Sequence, residues 1–314
     1  MTVLVGSTGF VGSNLLLSGG KEVDLAVHSS NVQEAYGMAP DLLLYAGLPA
    51  AKYLANHVPE RDMAVIQQAE ENIRAIGPKK LVLISTIDVY PVPKGVDEDS
   101  PIDDSLLHPY GYNRRQLELW ARESAPDALI VRLPGLFGKN LRKNFIYDLL
   151  HPAPSMLTED KLAELSRQDG EIARCYGPAE NGFCKLLPLE NSYLAELEGR
   201  LSQAGFTSLC FTDSRSVFQF YPLDRLWEDI QTALGQGLRL WNPATPPLSA
   251  GEIYRALTGN EFINHLAAPP ADYDYRTRHG ALFGGEDGYI CSRETVLREI
   301  GTFVSQERQA PGKA

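Results

Sequence analysis

The chain has few cysteines and histidines, and neither residue type is spaced to hold a metal or a disulfide scaffold. Its four cysteines, Cys175, Cys184, Cys210 and Cys291, are scattered through 314 residues without a C-x-x-C pair, and its six histidines include no H-x-x-x-H pair. Disulfide-rich modules and zinc sites both need closer spacing than this. We therefore expect free thiols in a reducing compartment and no metal.

Long apolar runs and an excess of basic charge are also missing. No stretch approaches the roughly 18 apolar residues that a bilayer-spanning helix needs. Thr2–Val5 leads straight into glycines without a basic flank, which is unlike a signal peptide. Acidic residues outnumber basic ones by 40 to 29, whereas nucleic acids and anionic membranes bind basic surfaces. We predict a cytoplasmic protein that binds neither nucleic acid nor membrane.

The first part of the chain alternates short apolar runs with segments of helical period. The predicted buried strands are Val3–Val5, Val23–Val27, Leu42–Ala46, Leu81–Ser85 and Leu129–Leu133. The predicted helices between them are Phe10–Leu17, Pro59–Ile76 and Tyr110–Glu123. This alternation predicts an α/β fold with a doubly wound, mostly parallel sheet. The link after the second strand is too short for a helix and a strand, so we expect Asn31–Tyr36 to form a short helical turn and the sheet to be reduced at this edge.

The later part of the chain is harder to interpret. Short helices are predicted at Asn144–Leu150, Glu159–Arg167, Ser192–Ala204, Arg225–Leu234 and Ser249–Leu257. Asp160–Asp213 has no clean strand alternation.

A glycine-rich loop follows the first strand. Gly6, Gly9 and Gly12 are spaced as G-x-x-G-x-x-G, which lets a strand turn tightly into a helix whose N-terminus faces a pyrophosphate. We expect this loop to bind a dinucleotide, although a purely structural turn has the same pattern. The predicted contacts are Gly6, Thr8, Gly9, Phe10, Val11 and Gly12.

The acid that would bind the adenine ribose about 20 residues further on is absent. His28, Ser29 and Ser30 stand there instead. Without a carboxylate nothing repels a 2′-phosphate, and these side chains can hydrogen-bond to one. The pattern favours NADP over NAD, unless these residues simply end a strand.

Two polar segments further on suit proton transfer. Thr86 follows a predicted strand, and Tyr110 and Arg114 lie four residues apart at the start of a predicted helix. A tyrosine can move a proton when a nearby cation lowers its pKa, and a hydroxyl can orient the reacting oxygen. On spacing alone, the tyrosine–arginine pair more often marks a solvated helix face.

Five motifs in order resemble the extended short-chain dehydrogenase/reductase family, which includes nucleotide-sugar epimerases, 4-ketoreductases and 4,6-dehydratases. They are Gly6–Gly12, Tyr45–Leu48, Ser85–Tyr90, Pro109–Glu118 and Arg132–Gly138. The resemblance implies that Tyr110 is the catalytic acid/base, that Thr86 orients the reacting oxygen and that Arg114 stands where the family has a lysine. It also implies cofactor contacts from Tyr45, Ala46, Gly47, Leu133 and Pro134.

The sequence departs from the family pattern at several positions. Arg114 keeps a positive charge that would lower the pKa of Tyr110, but its planar group is not equivalent to a lysine. Ile87 and Asp88 replace the Asp–Glu pair of the dehydratases, which argues against 4,6-dehydration and leaves Asp88 as a substrate contact. The usual helix asparagine is not evident near Ala64–Ile66.

The densest basic run of the chain follows the last of these motifs. We expect substrate contacts from Lys139, Arg142, Asn144 and Phe145, since a diphosphate entering an acidic protein needs fixed cations. A solvated helix N-terminus would carry the same residues.

The sequence thus predicts an NAD(P)-binding Rossmann domain over residues 1–140 with the return of parts of 205–245. It also predicts a smaller mixed α/β substrate lobe over 141–204 and 246–304, and a polar tail over 305–314. The expected function is hydride transfer at a sugar carbon of a nucleotide sugar, by a 4-ketoreductase or a C4 epimerase. The alternative is a degraded dinucleotide-binding sensor or scaffold. The small-molecule substrate is the expected partner, and a homodimer is one option for assembly.

Overall fold

The computed structural model describes residues 1–179 and 182–309. The strands are β1 (Thr2–Val5), β2 (Leu25–Val27), β3 (Leu42–Tyr45), β4 (Leu81–Thr86), β5 (Leu129–Leu133), β6 (Gly135–Phe137), β7 (Met156–Thr158), β8 (Tyr176–Pro178), β9 (Phe183–Leu186), β10 (Val217–Phe218), β11 (Phe220–Pro222), β12 (Leu240–Trp241) and β13 (Leu248–Ser249). The α-helices are α1 (Phe10–Gly19), α2 (Lys52–His57), α3 (Pro59–Ile76), α4 (Pro109–Ser124), α5 (Phe145–Leu150), α6 (Glu159–Gln168), α7 (Gly170–Arg174), α8 (Asn191–Gln203), α9 (Leu226–Gly235), α10 (Ala250–Thr258) and α11 (Arg293–Gln309).

The chain divides into two compact units. The first comprises Met1–Asn140, Phe218–Pro247 and Asp272–Val296. The described residues of the second lie within Leu141–Val217, Leu248–Ala271 and 297–309. The segment Asp272–Val296 thus belongs to the first unit, whereas the sequence prediction had placed it in the second lobe. Of the predicted tail, residues 305–309 belong to α11 and residues 310–314 lie outside the described residues.

A six-stranded sheet forms the centre of the first unit. Its order is β12-β5-β4-β3-β1-β2, and every neighbouring pair is parallel. The chain runs from β1 to β2 on one side and returns to β3 on the other. The strand order therefore reverses between β1 and β3, where open α/β sheets bind ligands beyond the carboxyl ends of their strands.

Helices cover both faces of this sheet. Because neighbouring side chains of a strand point to opposite faces, Val3 and Val5 join one apolar layer and Leu4 joins the other. The first layer includes side chains of α3 and α4, and the second includes side chains of α1 and α9. The predicted doubly wound α/β fold is confirmed.

The sheet is short at the edge where the sequence predicted a reduction. The edge strand β2 has only three residues, and Val32–Ala35 forms a single 3₁₀ turn before the chain enters β3. The segment between β2 and β3 holds no α-helix, and no strand lies beyond β2 in the described residues. The prediction of a short helical turn within Asn31–Tyr36 is confirmed.

The second unit has a small antiparallel sheet in the order β7-β9-β8. Its strands are only three or four residues long, so a period of two could not be recognised in the sequence. The predicted helices of the later part of the chain match α5, α6, α8, α9 and α10 to within one residue at each end. None of the described helices is long and apolar enough to cross a membrane.

Candidate active site

The glycine loop between β1 and α1 depends on two close approaches of the backbone. Gly6 has a φ of +92°, and a Cβ there would lie 2.4 Å from the carbonyl oxygen of Ala46. A Cβ on Gly12 would lie 2.1 Å from the carbonyl oxygen of Gly6. No side chain fits at either position, so the loop is built tightly against the residue that follows β3.

The start of α1 offers backbone donors at the carboxyl edge of the sheet. Its N-cap residue is Gly9, which has no side chain to cap the first amide groups of the helix. Thr8 and Gly9 are exposed, and Phe10 and Val11 are partly exposed. A helix N-terminus without a side-chain cap attracts an anion through its amide groups and its dipole. The loop therefore fits the diphosphate of a dinucleotide.

Two of the predicted cofactor residues have buried side chains. Tyr45 is 3% exposed, and its hydroxyl accepts a hydrogen bond from the Asn72 amide at 3.2 Å. Leu133 is 4% exposed and packs in the second apolar layer. Only the backbone of these two residues can border a cofactor, whereas Ala46, Gly47 and Pro134 are partly exposed.

The residues in place of the ribose-binding acid form a small polar turn after β2. The imidazole Nδ1 of His28 lies 3.0 Å from the Ser30 hydroxyl, and the His28 amide donates to the side-chain oxygen of Asn31 at 2.8 Å. Ser29 and Ser30 are exposed. This turn contains hydrogen-bond donors and no carboxylate.

A buried asparagine connects α1 to the loop after β6. The Asn14 amide donates to the carbonyl oxygens of Phe10 and Lys139, both at 2.8 Å, and its oxygen accepts from the Lys139 amide at 3.1 Å. A Cβ on Gly138 would lie 2.8 Å from the same Asn14 oxygen. Asn14 thereby fixes the loop that follows the predicted nicotinamide segment. Asn14 is absent from the predicted site.

The predicted catalytic residues come together where β4 ends and α4 begins. The Thr86 hydroxyl accepts a hydrogen bond from the Asp88 amide at 3.2 Å and so starts a 3₁₀ turn. A Cβ on Gly111 would lie 2.2 Å from the Asp88 carbonyl oxygen, which shows how closely α4 approaches this turn. Since Tyr110 directly precedes Gly111, the fold places Thr86, Asp88 and Tyr110 in one site.

The Tyr110 phenol is buried, and its hydroxyl makes no hydrogen bond with any of the described residues. The side chain is 8% exposed, and the Arg114 guanidinium lies over its ring at 4.5 Å from the centroid. Burial raises the pKa of Tyr110, and the charges of Asp88 and Asp62 raise it further. The charges of Arg114 and Lys52 lower the pKa of Tyr110, but burial outweighs them.

Arg114 is held by protein acceptors. Its guanidinium donates to both carboxylate oxygens of Asp62, at 2.7 and 3.1 Å, and to the carbonyl oxygen of Pro49 at 2.7 Å. Asp62 lies in the first turn of α3, two residues before Ala64–Ile66, where the family resemblance predicts an asparagine. Arg114 thus joins α3 and the loop before α2 to the helix that carries Tyr110.

A second cation lies at the same site. The Lys52 ammonium donates to Asp88 at 2.8 Å, and the His108 ring nitrogen Nε2 lies 3.9 Å from the same carboxylate oxygen. Burial lowers the pKa of His108, and the Lys52 charge lowers it further. Burial raises the pKa of Tyr273, and the charge of Asp88 adds to this effect. Lys52 and Tyr273 are both absent from the predicted site.

A buried ion pair links the elements that carry the site residues. Glu118 and Arg132 are 0% and 1% exposed, and their closest contact is 2.6 Å. Glu118 also accepts from the Ser85 hydroxyl at 2.7 Å, and Arg132 donates to the Tyr90 hydroxyl at 2.7 Å. Because these four residues come from α4, β4, β5 and the turn after β4, the network fixes the relative positions of the elements that carry Thr86 and Tyr110.

The predicted substrate residues after β6 have different environments. Lys139 in the first unit and Arg142 in the second are exposed. The Asn144 side chain caps α5 by accepting from the amide three residues on, at 3.1 Å. Phe145 is 3% exposed and packs against Phe262 in the second unit. The side chains of Lys139 and Arg142 are thus exposed, whereas those of Asn144 and Phe145 are engaged in local structure.

None of the four cysteines forms a disulfide bond within the described residues. Among residues 1–179 and 182–309, no group of three histidine, cysteine or acidic side chains is placed to hold a metal ion.

Comparison with known proteins gives matches in structure and none in sequence. No protein-family model and no curated protein matches the sequence. MoeE5 in complex with UDP-glucuronic acid and NAD is 16% identical, with a TM-score of 0.64 over 98% of this chain and 99% of that one. The UDP-glucose 4-epimerase of Thermotoga maritima is 13% identical, with a TM-score of 0.60 over 98% and 99%. The dTDP-4-dehydrorhamnose reductase of Bacillus anthracis in complex with NADP is 15% identical, with a TM-score of 0.61 over 97% and 98%. The chain therefore has the fold of these enzymes, as its sequence motifs predicted.

Proposed function

We propose that this chain is an NAD(P)-dependent oxidoreductase of the extended short-chain dehydrogenase/reductase family. It acts on a nucleotide-linked sugar, as a 4-ketoreductase or a C4 epimerase. The observation that carries the proposal is the close approach of the start of α4, which carries Tyr110, to the turn that begins at Thr86. This turn lies at the carboxyl edge of the sheet, the same edge at which the glycine loop leaves β1. In open α/β sheets, ligands bind at this edge.

The glycine loop fits a dinucleotide. The close approaches at Gly6 and Gly12 leave room for backbone only, and the amide groups at the start of α1 can hold the diphosphate. His28, Ser29 and Ser30 would lie at the adenine ribose and favour NADP. A bound nicotinamide cofactor supplies or accepts the hydride.

Residues of the chain then transfer the proton and bind the substrate oxygen. In the direction of reduction, the Tyr110 hydroxyl donates its proton to the carbonyl oxygen of the sugar, and in oxidation the phenolate takes it back. The raised pKa of Tyr110 keeps the phenol protonated at neutral pH, which is the form that reduction needs. The Thr86 hydroxyl accepts from the Asp88 amide and can donate to the same substrate oxygen. Asp88 is placed to bind a sugar hydroxyl.

Two observations support a nucleotide sugar and argue against 4,6-dehydration. Lys139 and Arg142 are exposed cations in an acidic protein, and they suit a nucleotide diphosphate. Ile87 is 4% exposed and packs with Val89, so this position offers no carboxylate for elimination. UDP-glucose and UDP-glucuronic acid are bound to two of the similar structures.

Cofactor binding and the Tyr110→Phe variant test the proposal. NADH and NADPH are titrated by fluorescence, and turnover is measured with 4-keto and 4-hydroxy nucleotide sugars. We expect Tyr110→Phe to keep the affinity for cofactor and to lose about 100-fold or more in turnover, as expected when an acid/base group is removed. Tyr112→Phe is the matched control, because Tyr112 lies on the same helix and is 40% exposed.

The outcomes distinguish a reductase, an epimerase and a dinucleotide-binding sensor or scaffold. A reductase consumes reduced cofactor in proportion to product, whereas an epimerase keeps its cofactor and needs none added. If the protein binds neither cofactor, the proposal is wrong. If it binds one and turns over no sugar, the chain is the dinucleotide-binding sensor or scaffold. If Tyr110→Phe turns over as fast as Tyr112→Phe, the role given to Tyr110 is wrong.

A further inference from the structure

We propose that Lys52 is the cation that donates a hydrogen bond to the phenolate oxygen formed on Tyr110, and that Arg114 positions the Tyr110 ring. The proposal rests on the function of Tyr110 as the proton donor. It assigns to a residue of α2 a task that the sequence motif had given to α4.

The placement of α2 brings Lys52 to the site. The Asn56 side chain accepts a hydrogen bond from the Tyr110 amide at 2.9 Å, so this face of α2 lies directly against the start of α4. Lys52 precedes Asn56 by four residues, and residues four apart share one face of a helix. From this face the Lys52 ammonium reaches Asp88 at 2.8 Å, and the Asp88 carbonyl oxygen lies against Gly111.

Lys52 keeps donors that a phenolate can use. An ammonium has three N–H donors, and one of them is engaged by Asp88. The Lys52 side chain is 42% exposed, so its end can shift towards a new acceptor without unpairing a buried charge.

Arg114 is less suited to this task. Its guanidinium carbon lies over the face of the Tyr110 ring, whereas a phenolate accepts hydrogen bonds at its oxygen, near the plane of the ring. Two of its nitrogens donate to Asp62 and Pro49, and its side chain is 2% exposed. Any movement towards the hydroxyl would take the cation away from the Asp62 carboxylate, which would keep the hydrogen bond from the Asn113 amide at 2.9 Å.

Lys52 is charged beside the phenol, although the charge of Arg114 lowers the pKa of Tyr110 more than the charge of Lys52 does. Burial lowers the pKa of Lys52, but Asp88 outweighs it and holds this pKa above its ordinary value, so the ammonium stays charged at neutral pH. The other titratable and charged groups that face the phenol are Asp88, Asp62, Arg114, His108 and Tyr273. Burial and the Lys52 charge lower the pKa of His108, which leaves this ring neutral at the same pH.

The chemical step is balanced with a hydride donor of the nicotinamide class. The hydride adds to the carbonyl carbon of the sugar, and the Tyr110 O–H bond breaks as its proton moves to the carbonyl oxygen. The product is an alcohol, and the remaining phenolate carries one negative charge beside the Lys52 ammonium. A proton from solvent restores the phenol.

Tyrosinate titration of the cofactor-free protein tests the inference. The Tyr110 signal is the difference in near-ultraviolet absorbance between each protein and the same protein carrying Tyr110→Phe. We expect Lys52→Gln to raise the midpoint by about one pKa unit or more, equivalent to a tenfold weaker acid. Lys52→Arg keeps the charge, so its titration midpoint should lie close to that of the parent protein. Lys79→Gln is the control, since Lys79 also donates to a carboxylate at 2.8 Å, that of Asp41.

Kinetics provide the second measurement. With a substrate in hand, Lys52→Gln should lower kcat, shift the pH profile of kcat upward and leave KM nearly unchanged, and Lys52→Arg should reverse the shift. An unchanged titration midpoint in both Lys52→Gln and Lys52→Met would overturn the assignment, and thermal unfolding shows that each variant is folded. Because the titration needs no cofactor, it still tests Lys52 if the proposed enzymatic function fails.

Discussion

Arg114 and Asp62 are joined by two hydrogen bonds, at 2.7 and 3.1 Å, between side chains that are only 2% and 10% exposed. The pair links α3 to α4 directly behind the Tyr110 ring. These bonds hold the Arg114 guanidinium on acceptors of the protein itself, over the face of the Tyr110 ring.

Removal of one partner of this pair should destabilise the protein strongly. We expect Arg114→Gln to lower the free energy of unfolding by about 3 to 5 kcal/mol, because it leaves the Asp62 carboxylate buried without its cation. The double variant Arg114→Met with Asp62→Leu should cost less than Arg114→Gln alone. Urea unfolding of the three proteins measures the difference.

The control for this experiment is an exposed ion pair of similar length. Arg239 and Asp127 are 2.8 Å apart with side chains 69% and 73% exposed, so Arg239→Gln should cost less than about 1 kcal/mol. Equal costs for Arg114→Gln and Arg239→Gln would show that the buried pair does not support the site.

The hydrogen bonds of Asn14 should matter both for stability and for cofactor binding. Asn14→Ala removes three side-chain hydrogen bonds to Phe10 and Lys139, and it should lower the free energy of unfolding by about 2 to 3 kcal/mol. Because the loop at Lys139 loses its attachment to α1, NADPH affinity should fall as well. Urea unfolding and fluorescence titration measure the two effects.

Ser18→Ala is the matched control for Asn14. The Ser18 hydroxyl also bonds to a carbonyl oxygen of α1, that of Asn14, at 3.0 Å, but it contacts no other element through this bond. If Asn14→Ala and Ser18→Ala have the same small effect on unfolding and on NADPH affinity, the attachment between α1 and the loop is unimportant.

The parts of the fold that follow from local patterns were predictable from the sequence. The strands β1, β3, β4 and β5 are mostly apolar, although β5 contains Arg132. The helix α3 combines a buried apolar face with Pro59 and acidic residues in its first turn. Gly6 and Gly12 were predictable for the same reason, because a tight turn excludes any side chain there.

The parts that depend on contacts between distant segments were not predictable. Lys52 lies in a short helix without a recognisable period, and its partner Asp88 is 36 residues away. Tyr273 follows more than 180 residues after Asp88 along the chain and reaches the same site only through the fold. A lone acid such as Asp62 gives no sign in the sequence that it will be buried against an arginine.

The coenzyme preference should respond to a carboxylate placed in the turn after β2. Ser29→Asp adds a negative charge beside His28 and Ser30, where the 2′-phosphate of NADP would lie. At a few ångströms in a partly hydrated site, the repulsion is worth about 1 to 2 kcal/mol, or roughly a tenfold loss of NADPH affinity. The affinity for NADH should stay the same or rise.

Ser30→Ala provides a comparison without added charge. It removes the hydroxyl that lies 3.0 Å from the His28 ring and should weaken NADPH binding only slightly. Parallel fluorescence titrations with NADPH and NADH give the ratio of affinities. A ratio that Ser29→Asp leaves unchanged would place the adenine ribose away from this turn.

Asp148 in α5 should make the stability of the protein depend on pH. None of the described residues forms a hydrogen bond with its carboxylate, and burial raises its pKa to about 7, from 3.8. Between these two values the folded protein retains a proton that the unfolded chain has lost, so rising pH favours unfolding. Above the pKa of Asp148 in the folded protein, the free energy of unfolding is lowered by the full amount, about 4 kcal/mol at most.

Asp148→Asn should remove this dependence. The variant should be nearly as stable as the parent near pH 4 and more stable by up to about 4 kcal/mol at about pH 8, since an amide cannot ionise. Thermal or urea unfolding of both proteins across this range measures the difference, in which the titration of all other groups cancels. Glu123→Gln, at an exposed position of α4, is the control and should show no such trend. A constant difference between Asp148→Asn and the parent at all pH values would mean that Asp148 ionises in the folded protein as it does in the unfolded chain.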